Sequence, residues 1–434
     1  MKNFSFPEAN KNIMVYATVV GRLREDLKKI GIEASGYIGK HLVGTGEDMR
    51  LTTKVYFDFL KPHVVLCCGK RGSGKSYSMA VILEEFCLLR EDFRSKLAFV
   101  VVDPMGIYWS MKYPNEQQAN LLKKWGLEPR GFAEQVEVYV PKKQKEEYEQ
   151  AGIPVDGTIS LALKEFSAED LILALDLERT SELAIALEKN FNLLLESGKD
   201  FGLEDLIYKI KEDVEVRKEV KNALTNMLEV VRGWGLIEKE GVKIEDLVKG
   251  GKVTIIDLSR MRSDVLRNLL VALLARKMYK ARVLARKEEE RVKIEGGRPS
   301  FSFPLTWLVL EEAHNFIPSE KDVVSSDPIK RLAKEGREPG IGLFVITQMP
   351  NKVHQDILSQ CDIVISHRLT SRADLEALHT VMQTYMREEI WKYLSRLPRM
   401  PGAAIILDDT LEKIFTVQIR PRLSWHAGGT AAIL

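Results

Sequence analysis

From residue 63 the chain alternates compact apolar runs with runs whose apolar residues fall at helical spacing. Residues 63–68 are apolar, residues 69–74 are glycine-rich, and residues 76–89 carry the helical spacing. A second apolar run, 97–102, ends on Asp103-Pro104. Strand, loop, helix, strand is the opening of a parallel α/β sheet. The pattern resumes at 253–256, which ends on Asp257, and a long helix follows. Its pairs Val265/Leu266, Leu269/Leu270 and Leu273/Leu274 recur every four residues, the signature of one buried face. That helix is expected to give way to an exposed loop through Glu288-Glu289-Glu290 and Gly296-Gly297-Arg298-Pro299. Further strands are expected at 306–310, 342–347, 363–366 and 403–407.

Two stretches break this rhythm. Residues 1–60 mix short β-like runs with Gly36, Gly39, Gly44 and Gly46, and predict a small β-rich N-terminal segment. Residues 111–250 hold Ser167-x-x-Asp170, a capping-box pattern ahead of an apolar-periodic run, and further runs follow at 181–196, 203–212 and 217–231. They predict a helical insertion. The expected division is therefore 1–60, a core from 61–110 and 251–434, and an insertion at 111–250.

Composition changes this picture little. The chain has 434 residues and a formal net charge of +2, so any basic surface for nucleic acid has to be local. Cys67, Cys68, Cys87 and Cys361 lack metal-ligand spacing and read as small buried hydrophobes in a reducing compartment. No apolar run approaches the length of a membrane span or a signal-peptide core, so a cytoplasmic protein is expected.

The chemistry lies at the strand ends. Gly69-Lys70-Arg71-Gly72-Ser73-Gly74-Lys75-Ser76 fits G-x-x-x-x-G-K-[ST]. Its glycines let the backbone wrap around phosphate oxygens, Lys75 neutralises them, and the Ser76 hydroxyl ligates Mg²⁺. The helix that follows, with Tyr77 in its first turn, points its positive end at the same phosphates. The expected nucleotide-binding set is Gly69, Arg71, Gly72, Ser73, Gly74, Lys75, Ser76 and Tyr77. The pattern alone arises in roughly one or two chains per hundred of this length, so the strand before it and the helix after it decide the reading. At residues 306–312 an apolar strand ends in Glu311-Glu312. Glu311 is expected on the metal side and Glu312 as general base for an attacking water. Gln348, closing the strand 342–347, could sense the γ-phosphate or orient that water. Arg337 and Arg368 are arginine-finger candidates, because hydrolysis spreads negative charge over the γ-phosphoryl oxygens. His314 could belong to the site or cap a helix. Asn351-Lys352-Val353-His354 lacks the aspartate of a guanine-recognising N-K-x-D element, which favours ATP over GTP.

Together these motifs resemble the HerA-like ATPases of the HerA/FtsK group of RecA-type motors. The resemblance rests on Gly69–Ser76, Asp103-Pro104, Asp257-Leu258-Ser259, Leu310-Glu311-Glu312-Ala313-His314 and Gly336-Arg337 leading to Gly340-Ile341-Gly342. Thr347-Gln348-Met349-Pro350, Ile357-Leu358-Ser359-Gln360-Cys361 and Ile419-Arg420-Pro421-Arg422 belong to it too. It implies a RecA-like P-loop NTPase core, α/β with a mainly parallel sheet. It also implies a homo-hexameric ring that moves double-stranded DNA with ATP and Mg²⁺, working beside a NurA-like nuclease. Two features depart from the family. The acidic pair is Glu-Glu, where Asp-Glu is the more usual motor pattern. Only about sixty residues precede the phosphate loop, where full HerA proteins carry a larger N-terminal β-barrel, so a shortened barrel puts nuclease pairing in doubt. The alternatives are a conjugation- or secretion-type motor moving protein–DNA cargo, and an ATP-dependent scaffold or switch in a nuclease complex.

Overall fold

The computed structural model describes residues 17–44, 48–381, 393–394, 397–398 and 400–428. Its strands are β1 Thr18–Val20, β2 Ser35–Val43, β3 Arg50–Asp58, β4 Val64–Cys68, β5 Leu97–Asp103, β6 Val136–Pro141, β7 Gly157–Ile159 and β8 Leu161–Ala162. They continue with β9 Ile237–Glu238, β10 Val253–Asp257, β11 Leu305–Leu310, β12 Ile341–Thr347, β13 Ile363–Ser366, β14 Ala403–Asp408 and β15 Lys413–Ile419. Thirteen form one sheet in the order β1-β3-β2-β15-β14-β13-β4-β12-β11-β5-β10-β6-β7, while β8 and β9 pair separately. From β13 to β7 every neighbouring pair is parallel.

Every residue of β5 and β12 is buried, as expected of a parallel sheet covered on both faces. Alternation along each strand sends successive side chains to opposite faces. Val65, Cys67, Phe99, Val101, Trp307 and Phe344 pack on one side with the helix Lys75–Leu88. There the Phe99 and Trp307 rings stack with centroids 5.7 Å apart, and a Cβ on Gly342 would come within 2.3 Å of the Trp307 ring. Leu66, Cys68, Val100, Leu308 and Leu343 face the other way, onto the helix Asp264–Glu295 and the helices of the insertion. All four cysteines are buried and free.

The insertion carries the helices Ala168–Ala174, Glu182–Glu196, Leu203–Glu212 and Lys218–Trp234, and the Ser167/Asp170 capping box is formed. Its ground is not purely helical, however. β6 and β7 also lie within 111–250 and extend the edge of the main sheet. The N-terminal strands likewise join that sheet, because β2 pairs antiparallel with β15. The expected loop at 288–290 is helix instead, which runs unbroken to Glu295. Ion pairs one turn apart carry it through the charged stretch: Arg286 with Glu290, and Arg291 with Glu288 and Glu295. Gly296, at φ 78°, ends it. No helix among the described residues is long and apolar enough to cross a membrane.

Candidate functional site: a phosphate loop and an acidic pair at the strand ends

In open parallel sheets, ligands bind beyond the C-terminal ends of the strands. That edge gathers most of the residues marked by the sequence. β12 lies between β4 and β11, in register Thr347–Cys68 and Val345–Leu310, so the phosphate loop and the acidic pair flank the end of β12. Gln348, half-buried, follows β12 and stands between them.

The loop turns back on β4 through glycines. Gly69, Gly72 and Gly74 have φ of 153°, 73° and 110°, values that side-chain-bearing residues rarely adopt. A Cβ on Gly69 would meet His367 and Ser73 at 2.6 Å, whereas at Gly72 it would meet nothing within 4 Å, leaving the loop's outer side open. The Ser73 amide donates to the Lys70 carbonyl (3.1 Å), and the Lys70 amide donates to the carbonyl of Arg368 (3.0 Å). The helix begins at Lys75, so its first N–H groups have no partner within the helix and face the loop's concavity. The Lys75 ammonium is buried and donates to the Lys70 carbonyl (3.3 Å).

The two glutamates differ sharply. Glu311 is buried, and its carboxylate accepts from the Ser76 hydroxyl (2.6 Å) and the Tyr108 hydroxyl (2.8 Å). Burial raises its pKa against the pull of those two donors. Glu312 sits at φ 51°, ψ 47°, a left-handed backbone held at a cost of about 1–3 kcal/mol. Its Oε2 is buried without a hydrogen-bond partner. Burial raises its pKa too, while Lys75 and Arg71 draw it down. His314 lies 3.5 Å from that oxygen but engages Thr347 Oγ1 at 3.0 Å, and burial, then Lys75, lowers its pKa toward the neutral ring.

The arginines separate. Arg368 follows β13, beside β4, with its backbone bonded to the phosphate loop. Arg337 precedes β12 and is exposed at the opposite edge of the sheet. The strand between spans about 20 Å at roughly 3.3 Å per residue, too far for the Arg337 side chain to reach its own phosphate loop. Tyr77 is committed within the protein: its hydroxyl accepts from the Arg422 amide (2.7 Å) and donates to Gln118 (3.0 Å). The closing Ile419-Arg420-Pro421-Arg422 braces the same helix from behind, with Arg420 bonded to Glu84 (2.8 Å) and Glu85 (2.9 Å).

Sequence reasoning did not single out His367 or Tyr108. His367 is wholly buried under the phosphate loop and bonded to Ser78 Oγ (2.9 Å) and the Ala403 carbonyl (3.0 Å), and burial pushes its pKa down to about 4. Beside Glu311, Asp103 and Asp257 end adjacent strands in register. Burial, then the neighbouring Asp257, raises Asp103 to about 8.

The family described as "Helicase HerA, central domain" matches residues 37–278, more than half of the chain. The chain belongs to the HerA helicase family. The DNA double-strand break repair helicase HerA of Sulfurisphaera tokodaii is 27% identical over 404 residues, covering 91% of this chain and 71% of that protein. The protein of the same description from Sulfolobus acidocaldarius is 28% identical over 223 residues, 50% of this chain and 42% of its own length. Among solved structures, the unbound monoclinic form of the bacterial conjugative coupling protein TrwBdeltaN70 has a TM-score of 0.50 at 12% identity, covering 91% of this chain and 94% of that one. The fold is that of the RecA-like P-loop NTPases, and as a HerA-family member the chain is an ATPase.

The residues present fit a magnesium–nucleotide. Ser73 Oγ, within the loop, and Glu312 Oε2 are buried and unpartnered. No group of three or more His, Cys, Asp or Glu among the described residues could cage a metal alone. That suits Mg²⁺, which is commonly held by one or two protein oxygens together with substrate phosphates.

Proposed function

We propose that this chain is an ATP-driven motor that translocates or unwinds double-stranded DNA as a homo-hexamer, in DNA end processing, repair or defence. Family membership supports the motor. The observation that carries the ring is the position of Arg337, on the edge of the sheet away from its own phosphate loop. An arginine there can complete a site only on a neighbouring subunit, whereas Arg368 flanks the loop of its own chain.

In this reading the loop amides and Lys75 hold the phosphates, and Ser76 with Glu311 would hold Mg²⁺. When bound, Mg²⁺ would neutralise charge building on the β- and γ-phosphate oxygens. Glu312, its carboxylate unpartnered and its basicity raised by burial, takes the proton of the attacking water. Gln348 orients that water from the end of β12. Arg337, from the neighbour, stabilises the charge on the γ-phosphoryl oxygens.

The test is ATP hydrolysis by the purified chain with and without linear duplex DNA, beside Lys75→Ala. Strong stimulation by DNA, lost in the variant and weakened by salt, is the expected result. Robust hydrolysis indifferent to DNA would sink the DNA motor and leave a conjugation- or secretion-type cargo, or a scaffold in a nuclease complex. Arg337→Ala should abolish stimulated hydrolysis and regain part of it when mixed with Lys75→Ala subunits, because each variant then supplies what the other lacks.

A further inference from the structure

The magnesium-side carboxylate is held from two directions. Glu311 Oε1 accepts from Ser76, on the phosphate-loop helix, at 2.6 Å, and Oε2 accepts from Tyr108 at 2.8 Å. Tyr108 is 203 residues away in sequence and entirely buried. Its own place is set by Asp103, whose carboxylate accepts four successive backbone amides: Met105 (3.1 Å), Gly106 (2.8 Å), Ile107 (2.7 Å) and Tyr108 (2.9 Å). The turn needs glycine at 106, where φ is +65° and a Cβ would come within 2.6 Å of Ser259 Oγ. The end of β5 is thereby wound into a rigid collar that aims one phenol at one carboxylate oxygen.

A carboxylate on a long, rotatable side chain has several ways to meet a cation. With Oε2 fixed by a phenol and Oε1 turned toward Ser76, only one remains, and it lies on the side of the phosphate loop. We propose that Tyr108 is a positioning residue for magnesium, holding Glu311 in the orientation that receives the cation together with Ser76. The proposal rests on the nucleotide-binding reading above.

The test is equilibrium binding of a fluorescent non-hydrolysable ATP analogue to the full chain, at rising MgCl₂ and separately in EDTA. Tyr108→Phe keeps the ring and removes only the hydroxyl. The half-saturating Mg²⁺ concentration should rise about tenfold, in the range found when partners of metal ligands are removed, with affinity in EDTA unchanged. Tyr108→His, which restores a donor, should recover part of that loss. The control is Tyr148→Phe. This phenol is equally buried, but it donates to Asp257, at its carbonyl (3.1 Å) or carboxylate (3.2 Å), and accepts from the Arg260 amide (3.1 Å), with no bond to Glu311. It should leave the magnesium dependence in place. A Tyr108→Phe titration that superimposes on that of the unaltered chain would overturn the proposal. So would equal loss of affinity in EDTA, which would mark the hydroxyl as a packing element only. Binding by the unaltered chain that is indifferent to magnesium would also overturn the proposal, whereas no binding with MgCl₂ or in EDTA would sink the nucleotide reading itself.

Discussion

The two ends of β4 are electrostatic opposites. At its start, charges are paired. His63 Nδ1 meets Asp362 at 2.7 Å, and the next amide, Val64, donates to the same carboxylate at 2.9 Å. Asp58 accepts from Arg22 Nε (3.2 Å) and the Leu60 amide (2.9 Å), and faces His63 Nε2 at 3.8 Å, an ion pair without a hydrogen bond. At the other end of the sheet, roughly 15 Å away along this five-residue strand, Glu311 and Glu312, which follow β11, are pushed toward protonation by burial. Glu312 Oε2 and Ser73 Oγ have no partner there. In the first arrangement opposite charges face one another within the chain, although Asp58 Oδ2 and His63 Nε2 make no hydrogen bond, and the pairing contributes to stability. The second is incomplete, and a phosphate, a cation and a water would complete it. Buried polar groups without partners cost stability, so a buried carboxylate oxygen and a buried hydroxyl left unpaired beside a glycine-rich loop mark that place for a ligand.

The largest effect should come from the open end. Glu312→Gln should reduce phosphate release at least about 100-fold while leaving nucleotide binding intact, as expected on losing a general base. Its thermal stability should stay level or rise slightly, since a buried unpartnered carboxylate becomes a neutral amide. Hydrolysis near the parental rate would assign the base elsewhere. The closed end should answer in the other currency. Asp58→Ala leaves the Arg22 guanidinium and the His63 ring buried without that carboxylate, and should lower unfolding stability by about 3–5 kcal/mol in urea titrations. The hydrolysis rate of the molecules that remain folded should hardly move. A large loss of rate at unchanged stability would erase the distinction between the two ends.

How much of this was legible beforehand follows from how local each signal is. The phosphate loop and Glu311-Glu312 were readable because their chemistry is written in adjacent residues bounded by apolar strands. The order of strands is not written that way. That Arg337 precedes β12 was visible, but its separation from the phosphate loop depends on β12 lying parallel beside β4. Tyr108 carries no local mark, because its partner is brought near only by the pairing of β5 with β11. β15 was missed because Lys413, Thr416 and Gln418 interrupt its apolar residues, and without β15 the N-terminal strands had no visible anchor. The charged tail of the long helix was misread for the opposite reason. Its stability comes from ion pairs between turns, which a search for apolar periodicity does not register.

The smallest effect isolates a single proton at the closed end of β4. Burial alone would lower the pKa of His63, but its contacts with Asp362 and Asp58 outweigh that and raise it from 6.5 to about 9. The folded chain therefore holds a proton that the unfolded chain releases above about pH 6.5. The stability this contributes is fully present below that pH and is lost as pH rises through about 9. Unfolding free energy should then fall between pH 7 and 9.5, by at most about 1.4 kcal/mol per pH unit from this one group. In His63→Gln that slope should flatten, while the dependence of hydrolysis on Mg²⁺ stays as in the parent. If the slope persists in the variant, the proton belongs to another residue, and the pairing at the start of β4 is weaker than its distances imply.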